Sequence, residues 1–417
     1  MRIFQTLMAF SGNAPPQLAL TRRLVERGHE VRVLAHRAAS ERVQQTGADF
    51  VEFHQAHPEF DITKRETDSL RDWEARTKLG ASLRLLKNAM FAFVLSTARE
   101  CAASLQDWPA EAVVFDWMFT GAAVAAESAG LPAVALVHCP YPLSVKGAPP
   151  LFSGMSPMSG PAGRVRDGLL SWFADRGFAT GLPLLNKARA EQGLGPLPRW
   201  DAQLLGAQAI YVMTAPELDF ASQGALPANV RYVGPAFEPF TREWASPWPA
   251  QNTDPLVLVS FSTSYMNQGA LVQRVLDALA KLPVRVLLTS GPALDVAGLR
   301  VPANTHVEAF IPHRTVLPHA SLVISHAGWQ TINAALADGV PLVCIPDGRD
   351  QPGNAARVVS AGAGVRVGKG ASPKKLRGVI AAALEDPEIK RNAEVIAAAQ
   401  ARSDGALTIA EELERLG

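Results

Sequence analysis

The sequence predicts an α/β protein made of two Rossmann-like, parallel-sheet domains that face each other across a cleft, and three observations predict it. The chain has 417 residues, too many for one core at roughly 150 residues per domain. Short apolar runs alternate with helical periods in both halves, the pattern of parallel sheets covered on both faces. Between the halves, residues 216–255 hold seven prolines and little helical period, as a linker does.

The elements follow in order. The apolar run 3–10 reads as a first strand, and the turn Gly12-Asn13-Ala14-Pro15-Pro16 leads into a helix with Leu18, Leu20, Leu24 and Val25 on one face. Residues 31–35 alternate as a second strand and complete a βαβ unit. A strand at 112–115 ends at Asp116, and a helix to Gly130 and a strand at 133–137 repeat the unit. Residues 140–163, with six prolines, four glycines and four serines, read as a long loop off that strand. Such a loop is usually functional, and this one is expected to order over a bound ligand. After the linker the alternation restarts, with strands at 256–261, 284–289, 322–325 and 342–345 and helices between them. The predicted units are therefore 1–215, the linker 216–255, a second domain 256–400, and a final helix in 401–417 packing back on the first domain.

Composition removes several function classes. Forty Lys+Arg balance 39 Asp+Glu, and no basic run offers the stripe that nucleic-acid binding needs. Disorder is excluded by 48% hydrophobic and 19% charged residues. Cys101, Cys139 and Cys344 are too scattered for a disulfide framework or a thiolate metal site, and they fit buried thiols in a reducing cytoplasm. No apolar run is long enough for a membrane span. Gly362-Ala363-Gly364 follows a helix and lacks a third glycine, so a dinucleotide oxidoreductase is not indicated.

The chemistry concentrates in residues 310–358. The strand at 322–325 runs into Ser325-His326-Ala327-Gly328 and then a helix, which turns the N–H groups of Gly328, Trp329 and Gln330 and a helix N-terminus toward the cleft. Such an end carries about half a positive charge and binds phosphate. His326, Gln330 and Thr331 add side-chain donors. An ordinary helix capped by Ser325 is the competing reading.

Four stretches of the segment, Phe310-Ile311-Pro312-His313, His326-Ala327-Gly328-Trp329-Gln330-Thr331, Gly339-Val340-Pro341 and Asp350-Gln351-Pro352-Gly353-Asn354-Ala355, resemble the nucleotide-sugar signature of the family 1 glycosyltransferases. That group includes plant secondary-product enzymes and actinobacterial antibiotic-tailoring enzymes. The resemblance implies the GT-B architecture, with an acceptor held by the first half and a sugar nucleotide by the second. It implies that His326 meets the α-phosphate, that Gln330 and Thr331 help hold the diphosphate, and that Ser262 and Thr263 approach the β-phosphate. Phe310 falls where the family often stacks a Trp on the base, Ile311 supplies backbone contacts to the base edge, and Asp350 and Gln351 match the pair that holds the sugar hydroxyls. Inversion without a metal or other cofactor is implied, and the chain contains no Asp-x-Asp.

The chain departs from the family pattern twice. Ala334 stands where the family has a Glu on the ribose hydroxyls, which puts UDP in doubt and makes TDP-sugars a serious donor class. Asn13 stands where the family has a basic His oriented by an Asp about a hundred residues later. An amide is no base, so Asp116, which matches the orienting Asp, is expected to take the acceptor's proton directly, with His138 in reserve. Trp73, Met90, Phe91, Phe93, Phe119, Phe152, Met155 and Met158 are candidates to line an apolar acceptor pocket. A hydrophobic small molecule, such as a phenolic, polyketide or macrolide, is the expected acceptor, and the chain a monomer or homodimer. The alternative is a non-catalytic sugar-nucleotide-binding homologue that activates another enzyme.

Overall fold

The computed structural model describes residues 1–8, 11–54, 62–239 and 243–415. Ala9 and Phe10 of the expected first strand, residues 240–242 of the linker and residues 416–417 of the last helix lie outside these.

The first sheet contains β1 (Arg2–Leu7), β2 (Glu30–Ala35), β3 (Asp49–Glu52), β4 (Ala112–Asp116), β5 (Ala133–Val137), β6 (Ala209–Val212) and β7 (Val230–Tyr232), ordered β3-β2-β1-β4-β5-β6-β7. The second contains β8 (Leu256–Ser260), β9 (Arg285–Thr289), β10 (Thr305–Glu308), β11 (Leu322–Ser325), β12 (Leu342–Cys344) and β13 (Gly364–Arg366), ordered β10-β9-β8-β11-β12-β13. All pairings are parallel. The central strands β4 and β8 are buried at every residue, which explains why both read as unbroken apolar runs rather than alternating ones. In each sheet the order reverses at one place, between β1 and β4 and between β8 and β11. Ligands bind beyond the carboxyl ends of strands at such switch points. Asn13, Asp116 and His138 lie at or just past the ends of β1, β4 and β5, and Ser262, Thr263 and His326 just past β8 and β11.

Helices α1 (Ala14–Glu26), α2 (Val94–Asp107), α3 (Thr120–Ser128) and α4 (Gly160–Ala179) belong to the first half. Helices α5 (Gly269–Leu279), α6 (Trp329–Ala337), α7 (Gln351–Ser360) and α8 (Pro387–Gln400) belong to the second, and α9 (Gly405–Glu414) closes the chain. Helix α9 lies on α1, where Ile409 and Leu413 share a core with Leu20 and Leu24, and Arg27 and His29 pair with Glu414 at its far end.

Two segments differ from the sequence expectation. The stretch expected to be linker carries β7, which joins β6 in the first sheet. Three residues between Pro227 and Pro235 are too few to show a strand period, but Asn229 fixes them by donating its side-chain N–H groups to the carbonyls of Leu205 and Ala207. The proline-rich segment 140–163 is clasped to the second half instead of hanging free. A Cβ added at Gly353, on α7, would lie 1.8 Å from the Leu151 carbonyl oxygen, and Arg366 donates to the Gly154 carbonyl.

Candidate active site

One cavity of about 840 Å³ lies between the two sheets and takes lining residues from both halves. Every residue expected in catalysis or donor binding lines it except Asp116: Asn13, His138, Ser262, Thr263, Phe310, Ile311, His326, Gly328, Trp329, Gln330, Thr331, Asp350 and Gln351.

On the second half, the turn from β11 into α6 is tight. Ala327 adopts φ 67°, a left-handed conformation costly for a residue with a Cβ. A Cβ on Gly328 would meet the His326 ring at 2.6 Å, so a side chain there would push the imidazole aside. Ser325 does not cap the helix: its hydroxyl accepts from the Ala327 N–H, and the N-cap is Gly328, which has no side chain to offer. The first turn of α6 therefore keeps its N–H groups for a ligand. Burial pushes the His326 imidazole down to about 4, so at neutral pH it is an uncharged hydrogen-bonding group. Its Nδ1 is buried with no hydrogen-bond partner among the described residues.

Around this turn, Phe310 is 78% exposed, an open apolar platform at the cavity edge. Ser262 and Ser264 join through their hydroxyls at 2.9 Å, and Thr263 stands exposed beside them. Asp350 accepts from Asn354 at 2.7 Å, and burial raises its carboxyl from the usual range despite that bond. Ala334 lines the cavity as well.

Two expected donor-site roles are not what the geometry gives. The Gln330 amide donates across the cleft to the His138 carbonyl at 2.8 Å, so it ties the halves together instead of pointing at a diphosphate. The Gln351 side chain accepts from the N–H groups of Asp347 and Gly348 and donates to the Met266 sulfur, bracing its own loop. Both are long, flexible amides whose partners sit on distant segments, which a linear motif does not reveal.

On the first half the expected base is corrected. Asp116 is fully buried behind the cavity wall. Its Oδ1 accepts from the Met118 N–H, and its Oδ2 from Gln17 Nε2 at 2.7 Å and His138 Nε2 at 3.0 Å. A carboxylate enclosed by three donors cannot reach an acceptor. His138 is the group that reaches the cavity. In the tautomer that donates Nε2–H to Asp116, Nδ1 is the nitrogen left to accept. Asn13 lines the cavity, and among the described residues its side chain donates only to the Met8 sulfur, at 3.4 Å.

Sequence reasoning missed the chain of buried amides behind this pair. Thr21 donates to Gln5 Oε1, Gln5 Nε2 donates to the Gln17 carbonyl at 3.4 Å, and Gln17 Nε2 reaches both the Asn13 carbonyl and Asp116. The available signal was polar residues in apolar settings: Gln5 inside the first strand, and Gln17 and Thr21 one turn apart on the buried face of α1. Arg349 was missed as well. Of the expected apolar lining, Met90 and Phe152 face the cavity. Phe119 packs on Phe53, Phe91 on Trp200 and Trp73 on Tyr265, Phe93 is not among the lining residues, and Met155 and Met158 point to solvent.

Residues 273–416 match the family model described as erythromycin biosynthesis protein CIII-like, C-terminal domain. Over 97% of both chains the sequence is 29% identical to 4'-demethylrebeccamycin synthase of Lentzea aerocolonigenes. Among solved structures, the calicheamicin glycosyltransferase superposes with a TM-score of 0.77 at 22% identity, covering 100% of this chain and 98% of that one. The glycosyltransferase VinC, solved in complex with dTDP, gives 0.71 at 18% identity over 100% and 99%. Motif, fold and similarity along the whole length agree: the chain has the two-domain GT-B fold and is similar to the family 1 glycosyltransferases.

Proposed function

We propose that the protein moves a sugar from a nucleoside-diphosphate sugar to a hydrophobic small-molecule acceptor, a phenolic, polyketide or macrolide, by single displacement with inversion and without a metal. The observation that carries this reading is the pairing of His138, backed by Asp116, with the His326–α6 turn in the same cavity. An acceptor hydroxyl placed beside His138 gives its proton to Nδ1 as its oxygen attacks the anomeric carbon from the face opposite the diphosphate. The bond from that carbon to the phosphate oxygen breaks, and its electron pair leaves with the nucleoside diphosphate. Donors at the first turn of α6 stabilise the charge that develops, and losing one group of this kind typically costs about 10²–10³ in rate. Asp116 holds the imidazole in the required tautomer and offsets its charge once protonated.

The relatives support the substrate classes. The whole-length relative is named for a step in rebeccamycin synthesis, and two structural neighbours were solved with thymidine diphosphate. Ala334 fits a deoxyribose, which has no 2'-hydroxyl to be gripped.

The test is a mass-spectrometric transfer assay with TDP- and UDP-sugars in separate tubes, a panel of phenolic and polyketide acceptors, and parallel reactions in EDTA. The expected result is a glycosylated product that survives EDTA and forms faster from the TDP-sugar. Product lost on chelation would overturn the metal-free mechanism. No product with any donor would leave the non-catalytic activator reading.

A further inference from the structure

Three arginines among the described residues line the cavity, and each is paired with a carboxylate. Arg42 binds Glu238, and Arg314 binds Asp338 with its guanidinium over the Phe237 ring. Neither is bonded to the loop that follows β8. Arg349 is different. Its Nη1 donates to Ser264 Oγ at 2.6 Å, and that hydroxyl contacts Ser262 Oγ. Its Nε and Nη2 form a fork on Asp72, 2.9 and 3.0 Å away, and Asp72 comes from the first half of the chain. Three of its five N–H groups are thus engaged, leaving one on each terminal nitrogen.

The need for a cation here follows from charge. A donor diphosphate brings about two negative charges to a corner where His326 is neutral and the helix end contributes roughly half a positive charge. Asp350 is close by and does not help. The guanidinium is built to meet this demand, because its planar fork matches phosphate oxygens as well as carboxylate oxygens. The pair is also held by costly backbone conformations: Arg349 itself has φ 56°, and Arg71, the neighbour immediately before Asp72, has φ 46°. Left-handed non-glycine residues persist where the surrounding structure enforces them, often at binding sites. Asp68 enforces one of them by accepting from the N–H groups of Leu70 and Arg71 and from the Trp73 indole.

We propose that Arg349 is the cation that receives the donor's diphosphate, and that Asp72 is a stand-in carboxylate which the diphosphate displaces on binding. The inference rests on the donor class proposed above and extends it. As the bond to the anomeric carbon breaks, the electron pair settles on a phosphate oxygen, and Arg349 stabilises it by charge-assisted hydrogen bonds. Because Asp72 belongs to the acceptor half, donor binding frees the 68–73 segment, whose Leu70 lines the cavity. Charging the donor site and admitting the acceptor then become linked events.

Opposite signs in two variants test this. Calorimetric titration of the full chain with TDP and with thymidine measures diphosphate and nucleoside affinity separately. Arg349→Gln is expected to weaken TDP by about ten- to a hundred-fold, the scale of a lost charge-assisted bond, and to leave thymidine unchanged. Arg349→Lys should recover part of the loss. Asp72→Asn is expected to tighten TDP several-fold, since the competitor is gone, again with thymidine unchanged. Thermal unfolding of each variant checks that it is folded. A purely structural clamp predicts that both variants lose TDP and thymidine affinity together, and that result would overturn the inference while sparing the donor site. Wild-type protein that binds neither TDP nor UDP would overturn the donor class and the inference with it.

Discussion

The two halves of the cleft present their chemistry in different ways. In the second half, the cavity-lining turn of His326, the exposed Phe310 ring and the Asp350 carboxyl fall between Phe310 and Gln351. In the first half, the His138–Asp116 pair is assembled from the ends of β4 and β5, braced by Gln17 from α1. A contiguous motif names its own partners, because the turn from β11 to α6 fixes His326, Gly328 and the helix end as one unit. A dispersed site does not. Asp116 kept the place of the family's orienting carboxylate, but the imidazole it orients is His138, 22 residues after it, rather than the residue at position 13.

The largest expected effect breaks the acceptor side. His138→Ala should lower turnover by about 10²–10⁴, the usual contribution of a positioned base, and Asp116→Asn should cost less because the imidazole remains. Full activity in His138→Ala together with a dead Asp116→Asn would return the base to the carboxylate. On the donor side, His326→Ala should cost about 10²–10³ in kcat through the leaving diphosphate; an unchanged kcat would remove His326 from the reaction. The comparison sharpens with Ala334→Glu, which restores the missing ribose contact and should shift preference from TDP toward UDP by about ten-fold, measured as a ratio of kcat/KM values.

Two smaller effects probe the scaffold that joins the halves. Gly353→Ala forces a methyl against the Leu151 carbonyl, backbone against backbone, and should destabilise by about 1–3 kcal/mol as overpacking does. An unaltered Tm would show that the loop yields freely. Acid should weaken the fold through His36, His313 and His326, each pushed down to about 4 by burial. The unfolded chain takes these protons near pH 6.5 and the folded one does not until about 4, so their stabilising contribution is full above 6.5 and drains as pH falls between those values. Urea midpoints at pH 7.5 and 5.0 that coincide would contradict this.

What the sequence alone determined is whatever depends on neighbours along the chain. The alternating apolar runs dictated two parallel sheets, and residues 325–331 dictated a tight strand-to-helix turn, since strand end, glycine and helix start are consecutive. A final helix on the first domain was an expectation, but its seat on α1 is a matter of tertiary packing, which brings Ile409 and Leu413 beside Leu20 and Leu24. The tertiary structure decided what depends on packing across the cleft. It buried Asp116 and brought His138 to the surface of the cavity, because β4 and β5 are adjacent and Gln17 fills the space behind them. It also turned Gln330 toward the His138 carbonyl and Arg349 toward Asp72. Long polar side chains choose partners by three-dimensional proximity and by the cost of leaving a buried donor unpaired, and neither quantity is written in residue spacing.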